Sequence, residues 1–239
     1  MSLSSLDGVL LIDKASHMTS HDVVAILRRV LGMKKIGHCG TLDPLATGLL
    51  MLTLGRGTKI QDLLMSEDKE YVGTMKLGEV TDSQDADGEI LETLPVPELD
   101  ADTIEAAFAK YDGDFYQIPP MVSAIKKDGV PLYKLARQGK TVERAPRFVR
   151  VYAHQILEQR PEEIDFRVVC SKGFYVRTYV HDIGHDLGCG AHLQSLRRTK
   201  SGRFSVENAF PASQLKETPR DTLLSHVLSL PEVSRLRGA

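Results

Sequence analysis

The chain has 239 residues, enough for one large domain or two small ones with a proper core. Hydrophobic residues make up 42% and charged residues 26%, as in an ordinary globular protein, and the longest apolar runs, such as Leu49 to Leu54, are far too short to span a bilayer. A net charge of −2 argues at first against a nucleic-acid partner. Three cysteines (Cys39, Cys170, Cys189) fit reduced thiols in a cytoplasm rather than a disulfide framework, and no basic-then-apolar secretory signal opens the chain.

In chain order, Met1 to Ser5 reads as a short disordered leader and Gly8 to Ile12 as a buried strand. Ser20 is expected to cap a helix whose apolar positions Val23, Val24, Ile26, Leu27, Val30 and Leu31 follow helical spacing, with Gly32 as its stop. Gly37 to Gly48 is a turn-rich loop, followed by a buried strand from Leu49 to Leu54. Gly55-Arg56-Gly57-Thr58-Lys59 lacks the spacing of a phosphate-binding P-loop and reads as a strand-to-helix turn capped by Thr58. Lys69 to Leu77 alternates as a half-buried strand does, and a helix is expected from Thr103 to Tyr111. The stretch from Ile118 to Arg147 is long, basic and punctuated by Pro119-Pro120, Pro131, Gly139 and Pro146, the mark of a functional insertion or a disordered one. Phe148 to Glu158 and Ile164 to Ser171 read as paired strands around Arg160-Pro161, Tyr175 to Leu187 as a helix, Ser201 to Val206 as a late strand, and Pro219 to Leu230 as a final helix. Strands and helices mix without a βαβ rhythm, so the fold class is α+β with a mostly antiparallel sheet.

Charge is segregated along the chain. Between Leu77 and Ala109 ten acids stand without one Lys or Arg, whereas between Ile118 and Arg147 seven bases, Lys126, Lys127, Arg137 and Lys140 among them, face two acids. A second basic group, Arg197, Arg198, Lys200 and Arg203, follows. Such a distribution lets one face attract phosphates in a near-neutral protein, although two solvated loops of opposite sign would read the same way. His181, His185, Cys189 and His192 invite a metal reading, since His181 and His185 sit one helical turn apart; Asp182 is short for the general base, Gly184 weakens the helix, and the favoured reading is a solvated helix face with no metal. The loop GHCGTLDPLATG packs three glycines, one His and Asp43 between two apolar segments, and an Asp before Pro is ordinarily a turn residue.

The segment GHCGTLDPLATGLL resembles the catalytic motif of the bacterial tRNA pseudouridine-55 synthase family (TruB type). Four further stretches resemble it in the right order: GVLLIDKASHMTSHD, KEYVGTMKLGEVTDSQDADG, IPPMVSAIKKDGVPLYKLARQGK and CSKGFYVRTYVHDIGHDLGCGAHLQSLRR. The resemblance implies the pseudouridine synthase fold and makes Asp43 the essential aspartate, His38 the histidine that enters the space left by an everted uridine, and Tyr71 the tyrosine that stacks on the target base. It makes Tyr175 a substrate contact, Arg177 the arginine paired with the catalytic carboxylate, Leu196 a pocket leucine and Lys14 a supporting lysine. Ile118 to Arg147 resembles the family's RNA-gripping thumb, so that Lys126, Lys127, Arg137 and Lys140 would meet the RNA backbone. Departures are Ala15 for a usual proline, His17 where glycine is common, and Cys39 where threonine is common. A larger departure is at the end of the chain: many family members carry a C-terminal PUA-like domain, and the stretch after about Leu230 is too short to be one, so the expectation is one catalytic domain over residues 1–239 with the thumb inserted at about 118–147 and no PUA-like domain. The protein is further expected to be a cytoplasmic monomer acting on the tRNA T-arm, with neither an obligate protein partner nor a membrane.

The chemistry suits these residue types. Pseudouridine forms when the bond from N1 to ribose C1′ breaks, the base turns, and C5 rejoins C1′. No net oxidation or hydrolysis occurs, so no cofactor is expected. An ionised carboxylate must stand against the sugar or base. Whether Asp43 attacks C1′, attacks the ring or abstracts a proton is open. An RNA chaperone without catalysis, the guide-RNA-dependent branch of the superfamily and a zinc hydrolase on His181 and His185 are the competing readings.

Overall fold

The computed structural model describes residues 6–238 apart from 124, 128, 133, 134, 136, 137 and 141, so the leader and Arg137 lie outside the described residues. Strands β1 (Gly8–Lys14), β2 (Ile36–His38) and β3 (Thr47–Leu54) and helices α1 (Ser20–Leu31) and α2 (Gln61–Met65) open the chain. There follow β4 (Lys69–Leu77), β5 (Glu79–Thr81), β6 (Ile90–Thr93), α3 (Ala101–Ala109), β7 (Gly113–Gln117), β8 (Lys126–Lys127), β9 (Val130–Pro131), β10 (Arg147–Arg160) and β11 (Glu163–Cys170). Helix α4 (Val176–Asp186), β12 (Ala191–Ser201), β13 (Phe204–Ser205), β14 (Phe210–Pro211), α5 (Arg220–Ser225), β15 (Leu228–Ser229) and α6 (Leu230–Arg237) complete it. The class is α+β, with a mixed and mostly antiparallel sheet.

The residues gather into two compact units, 1–71 with 197–239 and 72–196. In the first, β1 runs antiparallel to β3 from Gly8 opposite Leu54 to Lys14 opposite Gly48, and parallel to β14 on its other side. Arg197 and Arg198 pair in parallel with Thr47 and Gly48. Val9, Leu11, Leu49, Met51, Leu64, Phe204 and Val233 pack into one core cluster, each within about 5% of complete burial. Helix α1 buries Val23, Val24, Leu27 and Leu31 and starts from a reciprocal capping box, Thr19 with Asp22; the cap is Thr19, not Ser20. Ser20 turns inward instead. The helix ends at Gly32 in the left-handed conformation (φ 63°), as its position in the sequence requires.

In the second unit, the hairpin β10–β11 and the antiparallel pair β7–β10 build the sheet, and Phe108, Phe166 and Tyr179 meet in an aromatic core with ring centroids 5.7–6.2 Å apart. Three expected elements differ. The helix predicted at 103–111 begins two residues earlier because Asp100 caps it, accepting from the Thr103 N–H at 2.8 Å. The strand predicted over 201–206 is the tail of a hairpin whose long arm is β12, hidden in the sequence by its basic residues. The final helix is two short helices divided by Leu228–Ser229, which pairs with the start of β1. Gly55–Ile60 forms a 3₁₀ turn, with the Thr58 hydroxyl donating to Gly55 O at 2.8 Å. Among the described residues no helix is long and apolar enough to cross a membrane.

Candidate active site

The loop between β2 and β3 carries Asp43, and it is fastened from three sides. Ser20 is 2% exposed; its hydroxyl accepts from the Leu42 N–H at 2.9 Å and donates to Leu42 O at 3.1 Å, which fixes the backbone just before Asp43. Lys14, fully buried at the end of β1, donates its ammonium to Ala15 O (2.9 Å), Met18 O (2.7 Å) and Pro44 O (3.3 Å). Arg198, 2% exposed, donates Nε to Leu49 O at 2.7 Å and Nη2 to Gly40 O at 3.2 Å. Asp43 itself is half-buried, and its carbonyl closes a turn by accepting from the Ala46 N–H at 3.1 Å. Buried ammonium and guanidinium groups cost desolvation unless their donors find oxygens; Lys14 finds three carbonyls, Pro44 O on this loop among them, and Arg198 finds Gly40 O on the loop and Leu49 O just beyond it.

His17 shows why glycine suits its place: its φ is 59°, in the left-handed region that a side chain disfavours, while its N–H reaches Pro44 O at 2.9 Å. The turn beside Asp43 therefore carries local backbone strain. Cys39 faces the core, its N–H donates to Met51 O at 2.9 Å, and burial pushes its thiol up to about 12, so it stands there as an inert apolar group. His38, at the end of β2, is half-buried. Burial first, then the charges of Arg198 and His21, lower its pKa, so its ring is neutral at pH 7, and its Nδ1 is buried without a hydrogen-bond partner. Tyr71 lies on β4 at 9% exposure.

In the second unit Tyr175 precedes α4, its N–H and carbonyl both bonded to the Gln117 side chain at 2.8 and 3.0 Å. Arg177 on the first turn donates to Ser83 O at 2.8 Å and Val122 O at 2.6 Å, and stands 3.5 Å from the Asp85 carboxylate, both side chains about 5% exposed. Asp85 is in turn fixed by the Ser83 hydroxyl (2.5 Å) and the Asp87 N–H (3.2 Å). Gln84, at φ 65°, accepts from the Thr178 hydroxyl at 2.9 Å, and Leu193 bonds the loop on both sides, through Gln84 O and the Ala86 N–H. Sequence reading missed Asp85. It sits in an acidic stretch whose other members read as solvated, and only the DxDG turn spacing hinted otherwise. Leu196 is 8% exposed on β12.

Lys126 and Lys127 lie in β8, opposite Pro131 and Val130, and Lys140 is exposed. The histidines do not decorate one solvated face. His185 is exposed, but His181 is half-buried with Nδ1 unpartnered, Cys189 is fully buried, and His192 lies on β12, bonded to Glu79 O at 3.2 Å. Among the described residues no three His, Cys, Asp or Glu side chains are grouped to hold a metal.

The chain matches two family descriptions: "TruB family pseudouridylate synthase (N terminal domain)" over residues 28–176 and "tRNA pseudouridylate synthase B C-terminal domain" over 177–231. A protein named tRNA pseudouridine synthase B from Opitutus terrae is 58% identical over 214 residues, 90% of this chain and 89% of that one. One of the same name from Syntrophotalea carbinolica is 46% identical over 230 residues, 96% of this chain and 75% of the other. Among solved structures, one chain of a Cbf5-Nop10-Gar1 complex is 28% identical with a TM-score of 0.73, covering 98% of this chain and 63% of its own length. A chain of an H/ACA RNP bound to a substrate RNA containing 2′-deoxyuridine is 29% identical with a TM-score of 0.65, over 88% of this chain. The chain spans 52% of the length of that last structure and 63% of the former.

Proposed function

We propose that this chain, which belongs to the TruB family of pseudouridylate synthases, converts uridine 55 in the T loop of tRNA to pseudouridine, with Asp43 as the catalytic carboxylate. The observation that carries the reading is the loop around Asp43. It coincides with the motif of the resemblance and is held at Leu42, Pro44, Gly40 and Leu49 by three buried side chains.

A stacked uridine is out of reach of a carboxylate on a fixed loop, so the base must leave the stack. Eversion costs a few kcal/mol, offset by new stacking and phosphate contacts. Tyr71 offers the loose base a flat apolar face, and its hydroxyl relays the proton that leaves C5. His38, neutral at pH 7, is apolar enough to enter the vacated space without carrying a charge into it. In this reading Lys14 supports the loop, and the roles of Arg177 as the cation of the catalytic carboxylate and of Tyr175 and Leu196 as base contacts rest on the resemblance. Lys126, Lys127, Arg137 and Lys140 meet phosphates, and recognition rests on the shape of the T-arm rather than on a groove read base by base. The enzyme works as a cytoplasmic monomer, as one catalytic domain with its thumb, and without cofactor.

Tritium release from tRNA carrying 5-tritiated uridine tests the reading. The parent releases tritium and Asp43→Ala does not. Release from neither protein would leave an RNA chaperone, and release from both would remove Asp43 from the chemistry.

A further inference from the structure

We propose that Arg198 is a positioning residue for the reaction: its buried guanidinium staples the two ends of the loop that carries Asp43, and so sets where His38 and the carboxylate stand. The proposal rests on the reading of Asp43 as catalytic. Gly40 lies three residues before Asp43 and Leu49 six after it, and one planar group donates to both carbonyls, Nη2 to Gly40 at 3.2 Å and Nε to Leu49 at 2.7 Å. The main chain of Arg198 takes part as well. It pairs with Gly48, whose φ of 96° only glycine adopts easily and where a Cβ would run into the Arg198 backbone. A guanidinium fork is suited to holding two carbonyls at a fixed separation, whereas an ammonium is a point donor that satisfies one geometry at a time. Arg198 is also the charged group nearest in effect to His38, acting with burial and His21 against protonation of that ring, while the Gly40 backbone favours it. The residue thus acts on the reacting groups through the loop, without touching substrate.

The test compares Arg198→Lys and Arg198→Gln with the parent in tritium release from the tRNA, with circular dichroism as the check on folding. The expected result is a fall in kcat of about 10²-fold, the cost of a misplacement of about 1 Å, with KM within about threefold. His38, followed by NMR, should titrate at higher pH in Arg198→Gln, where the charge is gone, than in the parent or in Arg198→Lys, which keep it. If Arg198→Lys does not fold, Arg198→Gln decides on the same two readouts. A folded variant with parental kcat, a loss confined to KM, or an unmoved His38 in Arg198→Gln overturns the proposal. Asp43→Asn in the same assay separates the two readings: an active Asp43→Asn removes the premise, while an inactive one beside a fully active Arg198→Lys removes the staple alone.

Discussion

The loop around Asp43 and the basic segment from Ile118 to Arg147 look alike in sequence, both rich in glycine and proline and poor in periodicity, yet they are built in different ways. The first is fastened along its whole length by Lys14, Ser20 and Arg198. The second is fastened at its foot: Gln117 bonds Tyr175, Pro119 O accepts from Arg144 at 3.1 Å and Val122 O from Arg177. Further along, the described backbone bonds are local, such as Leu132 N–H to Ile125 O and the Lys140 N–H to Leu135 O. Bond making at C1′ needs placement to a fraction of an ångström, whereas phosphate capture needs charge and reach, and under the proposed function the two loops divide those demands.

Four experiments break or sharpen that contrast. Asp43→Asn should cost the most, toward the upper end of the about 10²–10⁴-fold range of a positioned acid–base group. RNA affinity in a filter-binding assay should stay within about threefold if the fastened loop serves chemistry and not capture. Asp85→Asn comes next. Removing the charge that stands 3.5 Å from the buried Arg177 guanidinium should lower the free energy of urea unfolding by about 1–3 kcal/mol and loosen the foot of the basic segment through Val122. Unchanged stability would mean that the Asp85 charge does not hold Arg177 in place. Third, Lys127→Gln with Lys140→Gln should weaken tRNA binding about tenfold and flatten the log–log salt slope by about 1.5, leaving the single-turnover rate at saturation intact. An unchanged slope would take the segment out of the RNA interface. The smallest effect is a control outside both loops. Burial first, then Asp186, raises the pKa of Asp182 on α4 to about 6. A carboxylic acid raised in the folded state stabilises it below its unfolded value of 3.8, and that contribution is lost as pH climbs through 6. Asp182→Asn should therefore raise the melting midpoint by a few degrees at pH 8 and leave it unmoved at pH 3, below the unfolded value, with activity per folded molecule unchanged at pH 8.

Much of this was legible in the residues. The apolar runs at 8–12 and 49–54 could only be buried strands, and Gly32 marked a helix end that the backbone confirms at φ 63°. Asp43 stood out through the motif rather than through physics, since an Asp before Pro is usually a turn. What the sequence concealed are partnerships over long separations. Ser20 looked like a cap, but Thr19 with Asp22 offers a reciprocal box, which frees the Ser20 hydroxyl to reach Leu42. Asp85 looked solvated among nine other acids, and nothing local announces that Arg177, 92 positions later, shares its burial. Arg197 and Arg198 read as a surface cluster; a run of bases disguised a strand whose second arginine is 2% exposed. His17 was noted as a departure, and its left-handed backbone supplies the reason.

Arg198 and Gly40 are 158 residues apart. During synthesis the segment bearing Asp43 leaves the ribosome long before the strand that grips it, so its two bonds to Arg198 cannot form until that strand has followed. A nascent chain stalled before Arg198 holds the carboxylate without its staple. If Arg198 positions the loop as proposed, the loop reaches its working form only after translation has passed β12.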